Sequence, residues 1–365
     1  MPLDFFPSRT LTWYLARTFI TRILAVLLML VLVLQALDLL SESGKILAQE
    51  GNGQAQLLTY ISLRVPQLVA RFLPYSVLLA TIITLATLNQ NSEVVSMKAA
   101  GLSAHQILAP LFLTAALISA FSFVFNERVV TRATATLSAW EAADFGAVPV
   151  DTGVRSNVYL AADDDILVAR GVAGEGADMR MSGITFYERD ARGMLARQIR
   201  ADEAVWANPG WRLSDATRFD VLSAQSSTLP QIVVAPQISP EQVRLSGINP
   251  DAQDIFELRQ TIALLDDAGR RTAELKSKWW HKISGPLSAM LMPLLGAVAA
   301  FGLARSGQLF ARAVIAMALG FAYFVVDNAA LAIGNFGGYP PLLAAWAPFF
   351  LFLLVGEAVL IRTEE

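Results

Sequence analysis

Six apolar runs of about 20 residues, each long enough to cross about 30 Å of hydrocarbon as a helix, constrain this chain more than any other feature. They are Phe19–Leu40, Val65–Leu88, Ile107–Phe125, Ile283–Leu303, Ala311–Leu331 and Pro341–Ile361. In lipid a single segment can satisfy its backbone hydrogen bonds internally only as a helix, so the runs predict six transmembrane helices. Hydrophobic residues make up 55% of the 365 residues and charged residues 16%, against about 25% charged in an ordinary soluble domain. Phe19–Leu40 is too long for the apolar region of a secretory leader, and no small-x-small cleavage site follows it closely, so it is expected to be a retained span. With no cysteine in the chain, disulfide frameworks, thiolate metal sites and cysteine nucleophiles are excluded. A net charge of −3 argues against nucleic acid as a partner, and two histidines argue against a histidine metal site.

Lys and Arg in the short loops set the orientation. Arg9, Arg17, Arg22, Lys98, Arg305, Arg312 and Arg362 fall on one side of a six-span arrangement; the other side carries Lys45 and Arg64 in its first short loop and no cation between Gly334 and Pro340. Both termini are therefore expected in the cytoplasm. The chain then reads as a first transmembrane half (1–125), an external segment (126–282), periplasmic in a bacterium, and a second transmembrane half (283–365).

The external segment has a different grammar. Short runs at Asn157–Leu160, Ile166–Val172, Gly183–Glu188, Ala204–Trp206, Arg218–Leu222 and Ile232–Ala235 are separated by turn residues, which predicts an antiparallel β sandwich or jelly roll. Asn208-Pro209-Gly210 marks a turn between Trp206 and Trp211. Two helices are expected to tie this domain to the membrane. One continues the third span to about Trp140; the other starts at a capping Asp254 and carries Ile255, Leu258, Ile262 and Leu265 at helical spacing. The fold class is thus an α-helical membrane protein with six transmembrane helices and a periplasmic all-β, jelly-roll-like domain between spans three and four.

No G-x-x-x-x-G-K-[ST] phosphate loop is present; Gly44-Lys45 lacks both the earlier glycine and the hydroxyl residue. The chain cannot hydrolyse ATP by that chemistry, so energy for any transport must arrive through a cytoplasmic partner. The only cytoplasmic piece with room for structure is Asn89–His105. There Ser92 is expected to cap a short helix beginning at Glu93, Gly101 to stop it, and Ser103 to cap the following span. Glu93 by itself need only complement the helix dipole. Asp327, about 16 residues into the fifth run, is an intramembrane acid that could face headgroups or pair with an arginine. Glu357 is close enough to the inner end to snorkel. His281 beside Trp279 and Trp280 reads as part of an aromatic belt. Asp163-Asp164-Asp165 lacks the ligand spacing of a calcium loop and reads as a hairpin tip. Small residues at helical spacing, Gly296/Ala300/Ala304 and Ala316/Gly320, suggest close helix packing or a lateral gate.

Three segments sharpen the reading: Asn91-Ser-Glu-Val-Val-Ser-Met-Lys-Ala-Ala-Gly-Leu-Ser103, Lys278-Trp-Trp-His-Lys-Ile-Ser-Gly-Pro-Leu-Ser-Ala-Met290 and Gly338-Tyr-Pro-Pro-Leu-Leu-Ala-Ala-Trp-Ala-Pro348. With Val325-Val-Asp327 they resemble the LptF/LptG (YjgP/YjgQ) permease family of the lipopolysaccharide export system, and the last two lie closer to its LptG branch. The resemblance covers essentially the whole chain, strongly in the spans and by architecture alone in the β domain. It implies a transport subunit and no enzyme: half of an ABC transporter in the Gram-negative inner membrane, paired with an LptF-like permease on two LptB-like ATPases that use ATP and Mg. That assembly would extract lipopolysaccharide from the outer leaflet and pass it to an LptC-like bridge protein for outer membrane biogenesis, with spans one and five as gate walls among membrane lipids. An LptF-type paralogue, or a membrane-anchored periplasmic scaffold, are the competing readings.

The resemblance also makes Ser92–Gly101 a coupling helix, with Glu93 the acid that meets an ATPase arginine and Met97 and Lys98 beside it. Family members carry a lysine near the outer end of span one where this chain has Gln35. Lys45, Arg64, Arg71, Arg128 and Arg132 are the remaining candidates for an anionic lipid headgroup, each also explicable as a snorkelling cation. Ile184 and Phe186 share one face of a strand by the period of two and are the candidates for an acyl path through the β domain.

Overall fold

A computed structural model describes residues 6–49, 51–146, 155–162, 165–174, 176–190, 193–240, 243, 249–267, 270–297 and 309–364. The chain divides into two compact units. A helical unit comprises 1–39, 64–131 and 253–365, and a second unit holds 40–63 and 132–252.

The helical elements are α1 (Arg9–Ala48), α2 (Gln54–Gln90), α3 (Glu93–Ala99), α4 (Ala104–Phe125), a π-helical turn (Asn126–Val130), α5 (Thr131–Ala142), α6 (Ile255–Asp267), α7 (Ala273–Ala297), α8 (Leu309–Asn335) and α9 (Pro341–Glu364). In α1, Leu15, Phe19, Ile23, Leu27 and Val31 recur every fourth residue as a buried stripe, while Leu24, Leu28 and Leu32 on other faces are about 60% exposed. Burying such a side chain is worth about 1.5–3 kcal/mol, so an apolar surface this dense is stable only against lipid. Among the described residues five helical stretches are long and apolar enough to cross a membrane: Arg9–Ala48, Gln54–Gln90, Ala104–Ala142, Ala313–Asn335 and Pro341–Arg362. The expected fourth span falls on α7, whose first half carries Lys276, Lys278, His281 and Lys282; residues 298–303 of that run, with Ala300, and Arg305 and Ala304 beyond it lie outside the described residues. The continuation of span three to Trp140 is observed, interrupted by the π turn.

The second half of α7 is the most enclosed helix of this unit. Ser288, Leu291, Met292, Leu294 and Leu295 are all buried, and α7 packs against α4, α8 and α9. Small residues permit the close approach: a Cβ on Gly296 would collide with Thr81, one on Gly320 with Leu78 and one on Gly356 with Leu294. The expected small-residue stripes therefore serve helix packing where they are described.

The β strands are β1 (Arg155–Ala162), β2 (Asp165–Ala173), β3 (Arg180–Arg189), β4 (Leu195–Trp206), β5 (Trp211–Asp220) and β6 (Gln225–Val234). They form one antiparallel sheet in the order β1-β2-β3-β4-β5-β6. Short connections join each strand to its sequence neighbour, so the sheet is a meander; the Greek-key order of a jelly roll and the second sheet of a sandwich are not found among the described strands. One face buries Val158, Leu167, Ile184, Ile199, Trp211 and Leu213 in a common core. The turn between Trp206 and Trp211 is as expected, with the two rings edge-to-face at 5.3 Å. β4 starts nine residues before the expected Ala204, and β5 is shifted towards the N-terminus of the expected Arg218–Leu222. Both strands alternate charged with small or apolar residues instead of presenting a β-branched run, and Asp215 (φ 50°) interrupts the alternation in β5. Leu222 lies beyond the strand, 94% exposed. Of the acidic hairpin tip, Asp163 and Asp164 are outside the described residues; Asp165 accepts the Arg189 N–H at 2.8 Å.

Candidate functional site

The loop between α2 and α4 folds into the short helix expected from Ser92 to Gly101. Val94 (4% exposed) and Met97 (8%) anchor α3 in the helical core, spaced as one face of the helix requires, and Lys98 stands on the exposed side. Gly101 ends it in the left-handed region (φ 87°), its N–H on the Lys98 carbonyl at 2.9 Å and the Leu102 N–H on the Met97 carbonyl at 3.2 Å, a stop that glycine adopts without a Cβ penalty. Ser103 then closes a capping box with Gln106, donors and acceptors reciprocal at 3.0 and 3.2 Å. The capping role expected of Ser92 is corrected. Its backbone is left-handed (φ 61°) and its side chain makes no cap; it turns the chain sharply out of α2. Asn91 reaches the Glu93 carboxylate instead, at 3.3 Å. On the other side of Glu93, the Tyr14 hydroxyl of α1 donates to Oε2 at 3.1 Å and lies 3.4 Å from Oε1.

The candidate headgroup residues are only partly brought together. Arg64 forks onto Asp38, with Nε–Oδ2 3.1 Å and Nη2–Oδ1 2.9 Å, and reaches Gln67 at 2.9 Å. Gln35 lies one turn before Asp38 on α1; it is 8% exposed, and neither its amide nitrogen nor its oxygen has a partner among the described residues. Lys45 pairs with Glu42 at 2.9 Å. Arg71, Arg128 and Arg132 are exposed. Arg64 is thus held by a carboxylate, which lowers its availability to an anion.

Two polar pairings inside the helical unit were not legible in the sequence, although Asp327 stood out there as an intramembrane acid. At the π turn the Glu127 carboxylate, 9% exposed, accepts the Lys282 ammonium, 7% exposed, at 3.1 Å and the Ile255 N–H at 2.6 Å. The Ile255 carbonyl accepts Trp279 Nε1 at 2.9 Å. Asp254 caps the same end of α6 through the Phe256 and Glu257 N–H groups at 2.8 Å, as expected. The second contact joins α7 to α8: His281 Nε2 lies 3.1 Å from Asp327 Oδ2. Asp327 therefore has a histidine partner where an arginine or headgroups were expected, and His281 is more than a belt residue. Glu357 similarly lies 3.4 Å from His105.

In the β sheet Ile184 (1% exposed) and Phe186 (6%) point into the packed core, with Thr185 and Tyr187 half-buried on the other face. Among the described residues no group of His, Asp and Glu is placed to hold a metal ion.

The family model for the lipopolysaccharide export system permease LptF/LptG matches residues 13–362. The lipopolysaccharide export system permease protein LptG of Escherichia coli strain K12 is 25% identical over 366 residues, covering 98% of this chain and 99% of that protein. LptG of Haemophilus influenzae is 23% identical over 316 residues, covering 85% and 87%.

Proposed function

The chain belongs to the LptF/LptG family of lipopolysaccharide export permeases, and we propose that it is the LptG-type permease subunit of an inner-membrane ABC transporter. The match along 13–362 carries this reading, because it takes in both groups of apolar helices and the β sheet between them. In this assignment α7 belongs to a sixth span, both termini are cytoplasmic and the β sheet is periplasmic. An LptF-like permease completes the pair. Two LptB-like ATPases supply ATP hydrolysis with Mg, and an LptC-like bridge receives the lipopolysaccharide drawn from the outer leaflet. The membrane-anchored scaffold has no use for a stiff, stopped helix on a short loop; a permease driven by a separate ATPase does.

Glu93 is the residue we assign to the ATPase. It stands at the dipole-favoured end of α3, with Val94 and Met97 fixing the helix to the core so that a push on α3 is not lost in loop motion. For acyl chains to enter beside Ile184 and Phe186, the packed face of the sheet has to open. Tagging this chain and isolating it from the membrane in detergent tests the assignment. An ATPase should co-purify, and Glu93→Ala should weaken its recovery or its stimulation; a chain that brings down no ATPase is a scaffold.

A further inference from the structure

The Tyr14–Glu93 contact joins two elements 79 residues apart, and it places a tyrosine of the first helix on the acid assigned to the ATPase. We propose that Tyr14 is a positioning residue that ties α3 to α1, so that movement imposed on α3 is delivered directly to the first span. This rests on the assignment of Glu93 to the ATPase.

Three observations support the tie. The hydroxyl is within 3.4 Å of both carboxylate oxygens, and a hydrogen bond to a charged acceptor is among the stronger kinds. Eight residues further along α1, about 12 Å at 1.5 Å per residue, Arg22 donates to the Ile83 carbonyl of α2 at 3.0 Å. Between these polar contacts Leu15 and Phe19 are fully buried in the core that also holds Val94 and Met97. The N-terminal part of α1 is therefore fastened to the α2–α3 corner by the first part of its buried apolar stripe together with two polar contacts. Beyond it, Leu24, Leu28, Met29 and Leu32 leave most of the helix surface to lipid. The buried stripe continues through Ile23, Leu27 and Val31 in the same core, so a displacement delivered at the α2–α3 corner is passed along α1 as one body. Glu93 also gains a fixed orientation from Tyr14 and Asn91, which prepares the carboxylate for a cationic partner.

Tyr14→Phe removes the hydroxyl and keeps the ring. In the complete complex, reconstituted in liposomes containing lipopolysaccharide, the variant should assemble with its ATPase at the normal yield. Lipopolysaccharide released per ATP hydrolysed should fall about three- to tenfold, the scale of one typical net hydrogen bond at a solvent-exposed contact. In complexes that assemble, adding Tyr14→Phe to Glu93→Gln should lower that ratio little below that of Glu93→Gln alone, because the bond it removes is already weakened. An unchanged ratio in Tyr14→Phe overturns the proposal and leaves the role of Glu93 standing. Loss of assembly equal to that of Glu93→Gln also overturns it, since Tyr14 would then only support docking. If Glu93→Gln changes neither assembly nor ATP turnover, the assignment of Glu93 fails independently of Tyr14.

Discussion

Glu127 and Lys282, 155 residues apart, form an ion pair at 3.1 Å in which each side chain is less than 10% exposed. Glu127 lies in the π turn after α4 and Lys282 in α7, and the same carboxylate takes the first N–H of α6. The place where the chain leaves the helical unit and the place where it returns are thereby fixed to each other within that unit. π turns of this kind commonly mark functional positions in helices, and here the irregular turn presents a buried carboxylate to two donors.

Removing one partner strands the other charge away from water. Lys282→Met or Glu127→Leu alone should destabilise the protein by about 3–5 kcal/mol, read as a lowered melting temperature in detergent by tryptophan fluorescence. The double variant should lose less than either single change. Equal stability of wild type and both single variants would mean that the charges are hydrated.

The two serines that flank α3 should behave oppositely. Ser103→Ala removes a capping box and should cost about 1 kcal/mol locally, seen as faster hydrogen exchange in the first turn of α4. Ser92→Ala should change exchange in α3 little, because Ser92 makes no side-chain cap. Ser92→Gly should slow exchange there by relieving the left-handed backbone.

Asp266 at the end of α6 is held below the usual carboxylate range, chiefly by its hydrogen bond from Lys276 and then by that from Thr272. Its folded value is lower than its unfolded value, so its contribution is complete above the unfolded pKa and is lost as pH falls through the folded one. Acidification below the ordinary aspartate pKa of about 3.9 should progressively loosen the α6–α7 junction, while neutral to alkaline pH leaves it intact. Asp266→Asn should reproduce the loosened junction at pH 7, measured by proteolysis within 268–276, and should remove the acid dependence.

Reporter domains fused at Gly193, in the β3–β4 turn, and after Glu365 should report opposite compartments, the first periplasmic and the second cytoplasmic. The same compartment for both would show an odd number of crossings to be wrong for the second half of the chain.

Five of the six expected apolar spans were legible because lipid selects composition over about 20 residues, a signal that survives exposure and burial alike. The capping box at Ser103, the stop at Gly101 and the cap at Asp254 were legible because each is a local pattern. Ser92 was misread for the same reason: a serine before an acid resembles a cap, and only the backbone angle shows that it turns the chain. Glu127–Lys282 and His281–Asp327 escaped because long-range pairing leaves no local trace; the signals available were a lone lysine and a lone acid entering apolar runs. β4 and β5 were misplaced because their charged exposed faces hide an alternation that the buried Ala201, Ala204, Leu213 and Ala216 reveal. The sheet order was not readable from strand patterns, since turn lengths alone do not separate a meander from a Greek key.

If this chain is the permease through which ATP hydrolysis moves lipopolysaccharide, transport should depend on it in a purified system. The direct measurement is release of lipopolysaccharide from proteoliposomes containing this chain, an LptF-like permease and the ATPase, with the bridge protein as acceptor. Release should require both ATP and this chain, and should fall when Glu93 is replaced by Ala. ATP turnover with no release, or release that is the same without this chain, would contradict it.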